Sequence, residues 1–534
     1  MPEKLSYRPA AAFAFVLLML LIPTVRLASI MSGDRYREAA AKQSLYTLTL
    51  AEERGSIYDR NGVPLTGQSV SYVGAAAPSV SPGTLAASLA EVAVDGEDAR
   101  EKASRGVPFL FEAAKAIQCN TVVSVAVRQR YGGLAPHLIG YPTTETESGY
   151  TGLEAAFSGL LDRYRGAFRV TYTVNAAGQA LAGVDPVIED TLSLSDGGLV
   201  LTLDTALQAF VQEQFDGLCG AAVVLSKEGD ILALVSTPTF DANDLSAALT
   251  QDGSPLLDRT LSAYDVGSVF KTVVAAAALE IGISPERTYV CEGSIDINGV
   301  RIRCHDHGGH GELDLKGALV HSCNPYFIDL AREVGAEKIL AMAQSLNFGQ
   351  TLTLADGVCS KPGNLPNEAD LRVPAALANL AIGQGTLLAT PLQVAAAIHS
   401  IASGGEYVVP RLVLGETDGH GSFVPFPDER ERRRVMSEKT AKTVLAAMRA
   451  VFEEGSLAPY DPAGKAAGKT STAQTGMVAE DGHGVCQAWL AGIYPAEEPE
   501  YTLVLFVEDG ASGTDTCGPL FQQICNYLER NESK

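Results

Sequence analysis

The sequence predicts an α+β protein in three parts: an N-terminal transmembrane helix, a small mixed α+β module, and a larger domain whose antiparallel sheet is sandwiched by helices. Three observations lead there. The first is an uncharged apolar span of 17 residues, Pro9 to Val25, with Lys4 and Arg8 before it and Arg26 after it. The second is Gly220-Ala-Ala-Val-Val-Leu-Ser-Lys-Glu-Gly229-Asp-Ile-Leu-Ala-Leu-Val-Ser236, two apolar strands about a Glu-Gly turn, preceded by a helical stretch from Thr205 to Phe215. The third is the Ala-rich run from Thr272 to Ile281, a helix that stops at Gly282 with Pro285 just beyond.

With 534 residues the chain exceeds one typical core. Hydrophobic residues at 46% and charged residues at 19% mark it as globular, and a net charge of -23 without clustered Lys and Arg excludes nucleic acid as a partner. The apolar span is at the lower limit for crossing a bilayer. An uncleaved signal-anchor over residues 9–27 is favoured over a cleaved signal peptide, because no A-x-A site follows. Lys4 and Arg8 then place residues 1–8 in the cytoplasm and the rest outside, giving a single-pass membrane protein.

Residues 28–195 are expected to form the small module. Arg35 to Tyr46 reads as a polar helix, and Asn61-Gly62 as a tight turn between strands, fixed by a charge cluster of Arg54, Asp59 and Arg60. Residues 66–120 carry no motif. Phe168 to Val174 alternates as a strand, Asn175 to Gly178 turns it, and His137 reads as structural. Residues 196–532 are expected to form the larger domain. Leu199 to Asp204 reads as a strand and Thr205 to Phe215 as a helix with Gln208 and Gln212 on one face. Cys486 to Tyr494 and Tyr501 to Val507 extend the sheet, and a helix from Leu520 to Leu528 closes it.

The chemistry gathers at three places. Ser268 and Lys271 in Tyr264-Asp-Val-Gly-Ser-Val-Phe-Lys271 lie three apart at a helix start, so the lysine reaches the serine; an amine kept uncharged can take a serine's proton. His321-Ser322-Cys323-Asn324-Pro325 brings a proton-relaying hydroxyl and an amide to one tight turn. Gly468-Lys469-Thr470-Ser471-Thr472-Ala473-Gln474 is a cationic strand edge suited to a substrate carboxylate. Each pattern is common alone. Their order, Ser-x-x-Lys, Ser-x-Asn, Lys-Thr, is a set known in β-lactamases and penicillin-binding proteins.

On these motifs the chain resembles a class B penicillin-binding protein, a membrane-anchored D,D-transpeptidase of peptidoglycan synthesis with a penicillin-binding/serine β-lactamase-like domain. The resemblance extends to Arg54-Gly-Ser-Ile-Tyr-Asp-Arg-Asn-Gly62, His137 to Tyr141, Gly149 to Glu154, Ser236 to Asn243, and Gly383-Gln-Gly385 leading to Thr390-Pro391. It implies that residues 28–195 are a non-catalytic pedestal or dimerisation-type module. It also implies that Ser268 is the acylated nucleophile, Lys271 its general base, Ser322 a proton shuttle, and Asn324 a holder of the substrate amide. Lys469 and Thr470 would bind the terminal carboxylate, with Lys469 helping to keep Lys271 neutral. The amides of Ser268 and Thr472 would form the oxyanion hole. The implied partners are D-Ala-D-Ala stem peptides, β-lactams, the membrane and a membrane glycosyltransferase, and the implied chemistry needs no cofactor. Two positions depart from the family pattern: Ser471 stands where Gly is usual, and Val266 where Pro is usual. Ser471 puts β-lactam sensitivity in question and keeps an impaired scaffold in view. A D,D-carboxypeptidase or β-lactamase, resolving the acyl-enzyme with water, is a further alternative.

The nine cysteines add a separate question. Cys291, Cys304, His310 and Cys323 make a Cys3His set suited to structural zinc; a Cys291–Cys304 disulfide and free thiols are the rival readings.

Overall fold

The structure is a computed structural model that describes residues 7–32, 44–78, 82–119, 122–144, 146–478 and 484–532. Lys4, and most of the polar helix expected over Arg35 to Tyr46, lie outside the described residues. Helix α1, Arg8–Ser32, is 25 residues long and buries none of them. At 1.5 Å per residue it measures about 37 Å, enough for a hydrocarbon core of about 30 Å.

By internal packing the chain divides into two compact units. One comprises Met1–Arg54, Ser69–Gln129 and Arg165–Ser195; the other comprises Gly55–Gln68, Arg130–Tyr164 and Asp196–Lys534. The single division expected between residues 195 and 196 is thus crossed by two segments that pack with the larger unit. Sheet pairing explains one of them, since Ser56–Tyr58 lies parallel to Gly198–Leu201. Core burial explains the other: Leu138, Ile139, Leu153 and Leu161 enter the large apolar core. Chain order shows neither.

The smaller unit is mixed α+β. Strand Leu45–Glu53 pairs antiparallel with Gly166–Thr173, which pairs in turn with Val187–Asp190. Residues 66–120, without motifs in the sequence, supply strands Ser69–Ala76 and Phe109–Ala113 and helices Pro82–Val92 and Gly96–Ser104. The Asn175 turn forms as expected, with Asn175 Oδ1 accepting the amides of Ala177 and Gln179. The Asn61-Gly62 turn, in the larger unit, forms as expected: Tyr58 and Pro64 bridge antiparallel across it, and the Asp59 amide donates to the Val63 carbonyl at 2.8 Å. Asp59 is buried, and its carboxylate accepts the backbone amides of Asn61, Val63 and Thr205 at 2.8, 2.8 and 3.0 Å. A buried carboxylate needs donors, and these amides meet that need without the charge cluster expected with Arg54 and Arg60.

The larger unit is built on five strands: β1 Gly220–Ser226, β2 Ile231–Thr237, β3 Ala467–Val478, β4 Gly484–Tyr494 and β5 Tyr501–Val507. Their order is β2-β1-β5-β4-β3, antiparallel throughout. Both faces are covered, which is why β1 and β2 read as unbroken apolar runs rather than alternating ones. On one face, helices α2 (Thr205–Gln214) and α8 (Gly513–Glu532) place Leu207, Val211, Phe521 and Ile524 against Ala222, Val224, Leu490 and Leu505. On the other, helices α3 (Lys271–Glu280), α4 (Leu315–Val320), α5 (Asn324–Val334), α6 (Pro391–Ala402) and α7 (Glu438–Glu453) share a core with Val223, Leu225, Trp489 and Phe506. The helix-sheet-helix sandwich is the one the sequence predicts. The closing helix α8 starts seven residues earlier than expected and runs through Pro519.

Gln208 shows how α2 is fastened. Its buried side chain donates to the Leu234 carbonyl at 3.0 Å and accepts the Leu234 amide at 2.8 Å, standing in for a neighbouring strand at the β2 edge. Gln208→Ala leaves both backbone groups buried without partners. It is expected to lower unfolding stability by about 2 to 4 kcal/mol in urea titration, at unchanged secondary-structure content.

Candidate active site

Ser268 sits in a single 3-10 turn, Gly267–Phe270, that leads into α3, and Lys271 is the first residue of that helix. The serine therefore precedes the α-helix proper by one turn instead of lying on its first turn. Four contacts hold this turn. Trp489 Nε1 donates to the Asp265 carbonyl at 2.9 Å, and the Asp265 amide donates to Gln487 Oε1 at 3.0 Å. Tyr264–Asp265 pairs with Leu388–Ala389, and the Gly267 amide donates to the Gly383 carbonyl at 2.8 Å. The last approach needs glycine, because Gly383 has φ +72° and a Cβ there would lie 1.9 Å from the Gly267 oxygen. Sequence reasoning assigned no role to Asp265, Gln487 or Trp489. The one available signal was that Trp489 is the chain's single tryptophan inside an apolar strand.

Lys271 is fully buried. Its Nζ donates to the Ser322 carbonyl at 2.7 Å and to Asn324 Oδ1 at 2.7 Å, and lies 3.2 Å from Ser322 Oγ. Burial pushes the amine down to about 7, against an opposing pull from Cys323 and Cys304. A neutral amine has two hydrogens for the two carbonyl-type oxygens and a lone pair left for a hydroxyl. Ser322, 51 residues away in the chain from Lys271, adopts φ +49°. This left-handed backbone costs about 1 to 2 kcal/mol in a non-glycine residue. It is held by amide bonds from Ser322 to the Leu319 carbonyl and from Cys323 to the Ala318 carbonyl, and by Lys271 itself. Asn324 opens α5, and its Nδ2 donates to the Arg303 carbonyl at 3.4 Å.

Strand β3 forms the facing wall. Lys469 is buried, with its Nζ donating to the Thr470 carbonyl at 2.9 Å. Burial, and then the nearby Lys271, hold the Lys469 amine well below the usual lysine range. Burial is the largest cause for both amines, and the repulsion between Lys271 and Lys469 disfavours charge on the pair. Thr470 is half-buried and Thr472 exposed, with Thr472 Oγ1 accepting the Gly513 amide at 3.1 Å. Ser471 alternates to the buried side, where its Oγ accepts the Ser268 amide at 2.8 Å. Ser268, Ser322, Asn324, Lys469, Thr470, Ser471 and Thr472 all line one cleft of about 590 Å³, with Lys271 beneath it.

The Cys3His set also comes together. One ligand atom from each of Cys291, Cys304, His310 and Cys323 lies within 4.8 Å of all the others, and the three cysteines are buried. Two short strand pairs, Tyr289–Cys291 with Gly311–Leu313 and Ser294–Ile297 with Val300–Arg303, bring in Cys291, Cys304 and His310, and Cys323 comes from the N-cap of α5. All nine cysteines are free thiols, so the Cys291–Cys304 disulfide is not formed. Hydrogen bonding from Cys323, then from His305 and the Asn324 amide, pushes the Cys304 thiol down to about 3; the same bond and burial push Cys323 up. Outside the cleft, His137 meets the Pro255 carbonyl through Nε2 and packs edge-on against Phe240, a structural role as expected.

A helix-sheet-helix sandwich with Ser-x-x-Lys under an edge strand bearing Lys-Thr defines the class of penicillin-recognising acyl-transfer folds. The chain belongs to the penicillin-binding protein transpeptidase family, class B: the family profile "Penicillin binding protein transpeptidase domain" matches residues 220–526. Among curated relatives, Stage V sporulation protein D of Bacillus subtilis is 29% identical, over 94% of this chain and 81% of that protein. Peptidoglycan D,D-transpeptidase MrdA of Acinetobacter baumannii is 28% identical, over 96% and 86%. Among solved structures, penicillin-binding protein 3 of Mycobacterium tuberculosis in complex with aztreonam superposes with TM-score 0.64 at 26% identity, over 91% of this chain and 97% of that one.

The Gly383 contact generates a test. Gly383→Ala is expected to displace the Gly267 turn and slow labelling by a fluorescent penicillin roughly a hundredfold, as misplacement by about 1 Å does elsewhere. Time-resolved gel fluorescence reads it directly.

Proposed function

We propose that this chain is a membrane-anchored peptidoglycan D,D-transpeptidase that cross-links stem peptides through an acyl-enzyme on Ser268. The observation that carries this reading is the buried Lys271 amine, bonded to Ser322 and Asn324 in the same cleft as Ser268 and Lys469. An uncharged lysine accepts a proton where a solvated one does not. Ser268 Oγ attacks the carbonyl carbon of the penultimate D-Ala as its proton passes to Lys271. Ser322 returns a proton to the departing amine, the C–N bond breaks, and D-alanine leaves. An amine of a neighbouring stem then attacks the acyl-enzyme and frees Ser268. Lys469 and Thr470 take the terminal carboxylate, Asn324 holds the substrate amide, and the amides of Ser268 and Thr472 face the developing oxyanion, where one donor is worth about 3 to 4 kcal/mol.

In this reading α1 is the membrane anchor and the larger unit works outside the membrane. Nascent glycan strands would come from a membrane glycosyltransferase acting beside it. β-Lactams, which carry a reactive amide in place of D-Ala-D-Ala, would acylate the same serine.

Full-length protein in detergent, incubated with a penicillin, is expected to gain one persistent adduct by intact mass, absent from Ser268→Ala. The acylation rate is expected to climb as pH rises through about 7, because Lys271 accepts a proton only when it has lost its own. An adduct that hydrolyses within minutes would favour the carboxypeptidase or β-lactamase reading. No adduct would favour a scaffold.

We further propose that Cys291, Cys304, His310 and Cys323 hold a structural zinc ion. The donor set fits: Zn–S bonds of about 2.3 Å put tetrahedral ligands about 3.8 Å apart, and these donors stand within 4.8 Å of one another. Zinc would fix the two strand pairs and, through Cys323, the turn carrying Ser322 and Asn324; it takes no part in the acyl transfer. Elemental analysis of the full chain is expected to find one zinc per molecule, lost in Cys304→Ser together with several degrees of thermal stability. Four intact ligands with no bound metal would refute this assignment.

A further inference from the structure

We propose that the Ser471 hydroxyl is a gate on the acylation site: its oxygen holds the Ser268 amide at rest, and a bound acyl donor is attacked only once that oxygen has turned away. The proposal rests on the reading of Ser268 as the acylated nucleophile. It arises from one contact, the Ser268 amide donating to Ser471 Oγ at 2.8 Å. A backbone amide has a single hydrogen. Committed to Ser471, that hydrogen is withdrawn from the carbonyl oxygen of an incoming acyl group.

The geometry fixes which part moves. Ser471 is 3% exposed and points to the same side of β3 as Ala473, against Gly267. The space for its hydroxyl exists because Gly267 has no side chain: a Cβ there would lie 2.1 Å from Ser471 Oγ. The backbone of Ser471 is pinned by pairing with Trp489 on β4 and by close approach of Gly513, where a Cβ would lie 2.4 Å from the Ser471 oxygen. Rotation about the Cα–Cβ bond of Ser471 is the remaining freedom, and it releases the amide. With the hydroxyl in place the oxyanion hole has lost one of its two proposed donors; with the hydroxyl turned away it has both.

Opening exchanges one internal hydrogen bond for a substrate contact, a difference of about 1 kcal/mol and so about five- to tenfold in rate. A stem peptide anchored along β3 and at Lys469 brings binding energy that offsets this cost. A compact β-lactam with fewer anchoring contacts brings less. Ser471 therefore acts as a positioning residue that sets selectivity between peptide and β-lactam acyl donors.

The test follows acylation by penicillin in the full-length chain in detergent, by rapid quench and intact mass, for wild type, Ser471→Ala, Ser471→Gly and Ser268→Ala. The expected result is a limiting acylation rate about tenfold higher in Ser471→Ala and at least as high in Ser471→Gly. The half-saturating penicillin concentration and the thermal midpoint stay within error of wild type, which a purely structural effect would not produce. A wild-type rate in Ser471→Ala overturns the gate. A slower rate overturns it in favour of a hydroxyl that donates to the oxyanion. In either case an adduct that still depends on Ser268 leaves the transpeptidase reading standing; no adduct in any protein removes that reading and the gate with it.

Discussion

A lysine amine closed away from water is the constraint on which the site depends. Lys271 is fully buried at the head of α3, and a charged ammonium there would lack the solvent that normally stabilises it. Neutrality is the cheaper state. The surrounding oxygens are consistent with this, since the Ser322 carbonyl and Asn324 Oδ1 use two N–H groups and leave a lone pair. Lys469 is buried beside it in the wall of the same cleft, so two amines that repel each other when charged are kept together only by the packing around them.

That packing comes from both sides of the sheet. Trp489 and Phe506 project from β4 and β5 into the core that holds α3, while Leu490 and Leu505, one residue along, project into the core under α2 and α8. Register within the sheet therefore sets the height of Lys469 and Ser471 on β3 relative to Ser268. A slip of one residue would put Thr470 in place of Ser471 at the Ser268 amide, because side chains alternate along a strand. Trp489 pairs with Ser471 in the ladder and also bonds the Asp265 carbonyl, so one residue ties strand register to the position of the nucleophile turn.

The Ser322 turn is supported from a different direction. Cys323 sits between Ser322 and Asn324 and belongs to the cluster with Cys291, Cys304 and His310, while the Asn324 amide bonds Cys304. A strained φ at Ser322 persists only where its surroundings over-determine it. Helix α4 with its capping bonds, the Lys271 ammonium-derived amine and the cysteine cluster each constrain the same three residues.

The sequence by itself determined the elements whose pattern is local. The apolar span of α1, the apolar strands β1, β2, β4 and β5, the helix after Ser268, and the spacing of Ser268 and Lys271 follow from periodicity, turn residues and propensity within a few turns of chain. It also named the cleft residues, because motif order carried them, and the Cys3His set, from the type of donor atom. Tertiary structure alone decided what depends on contacts between distant segments. It drew Gly55–Gln68 and Arg130–Tyr164 into the larger unit and gave the Asp59 carboxylate to backbone amides. It buried both Lys271 and Lys469 and aimed Ser471 at the Ser268 amide. The physical reason is common to these cases: burial and hydrogen-bond partners are set by which surfaces meet across the sheet, and a linear pattern records only that a residue will be buried, not what it will face.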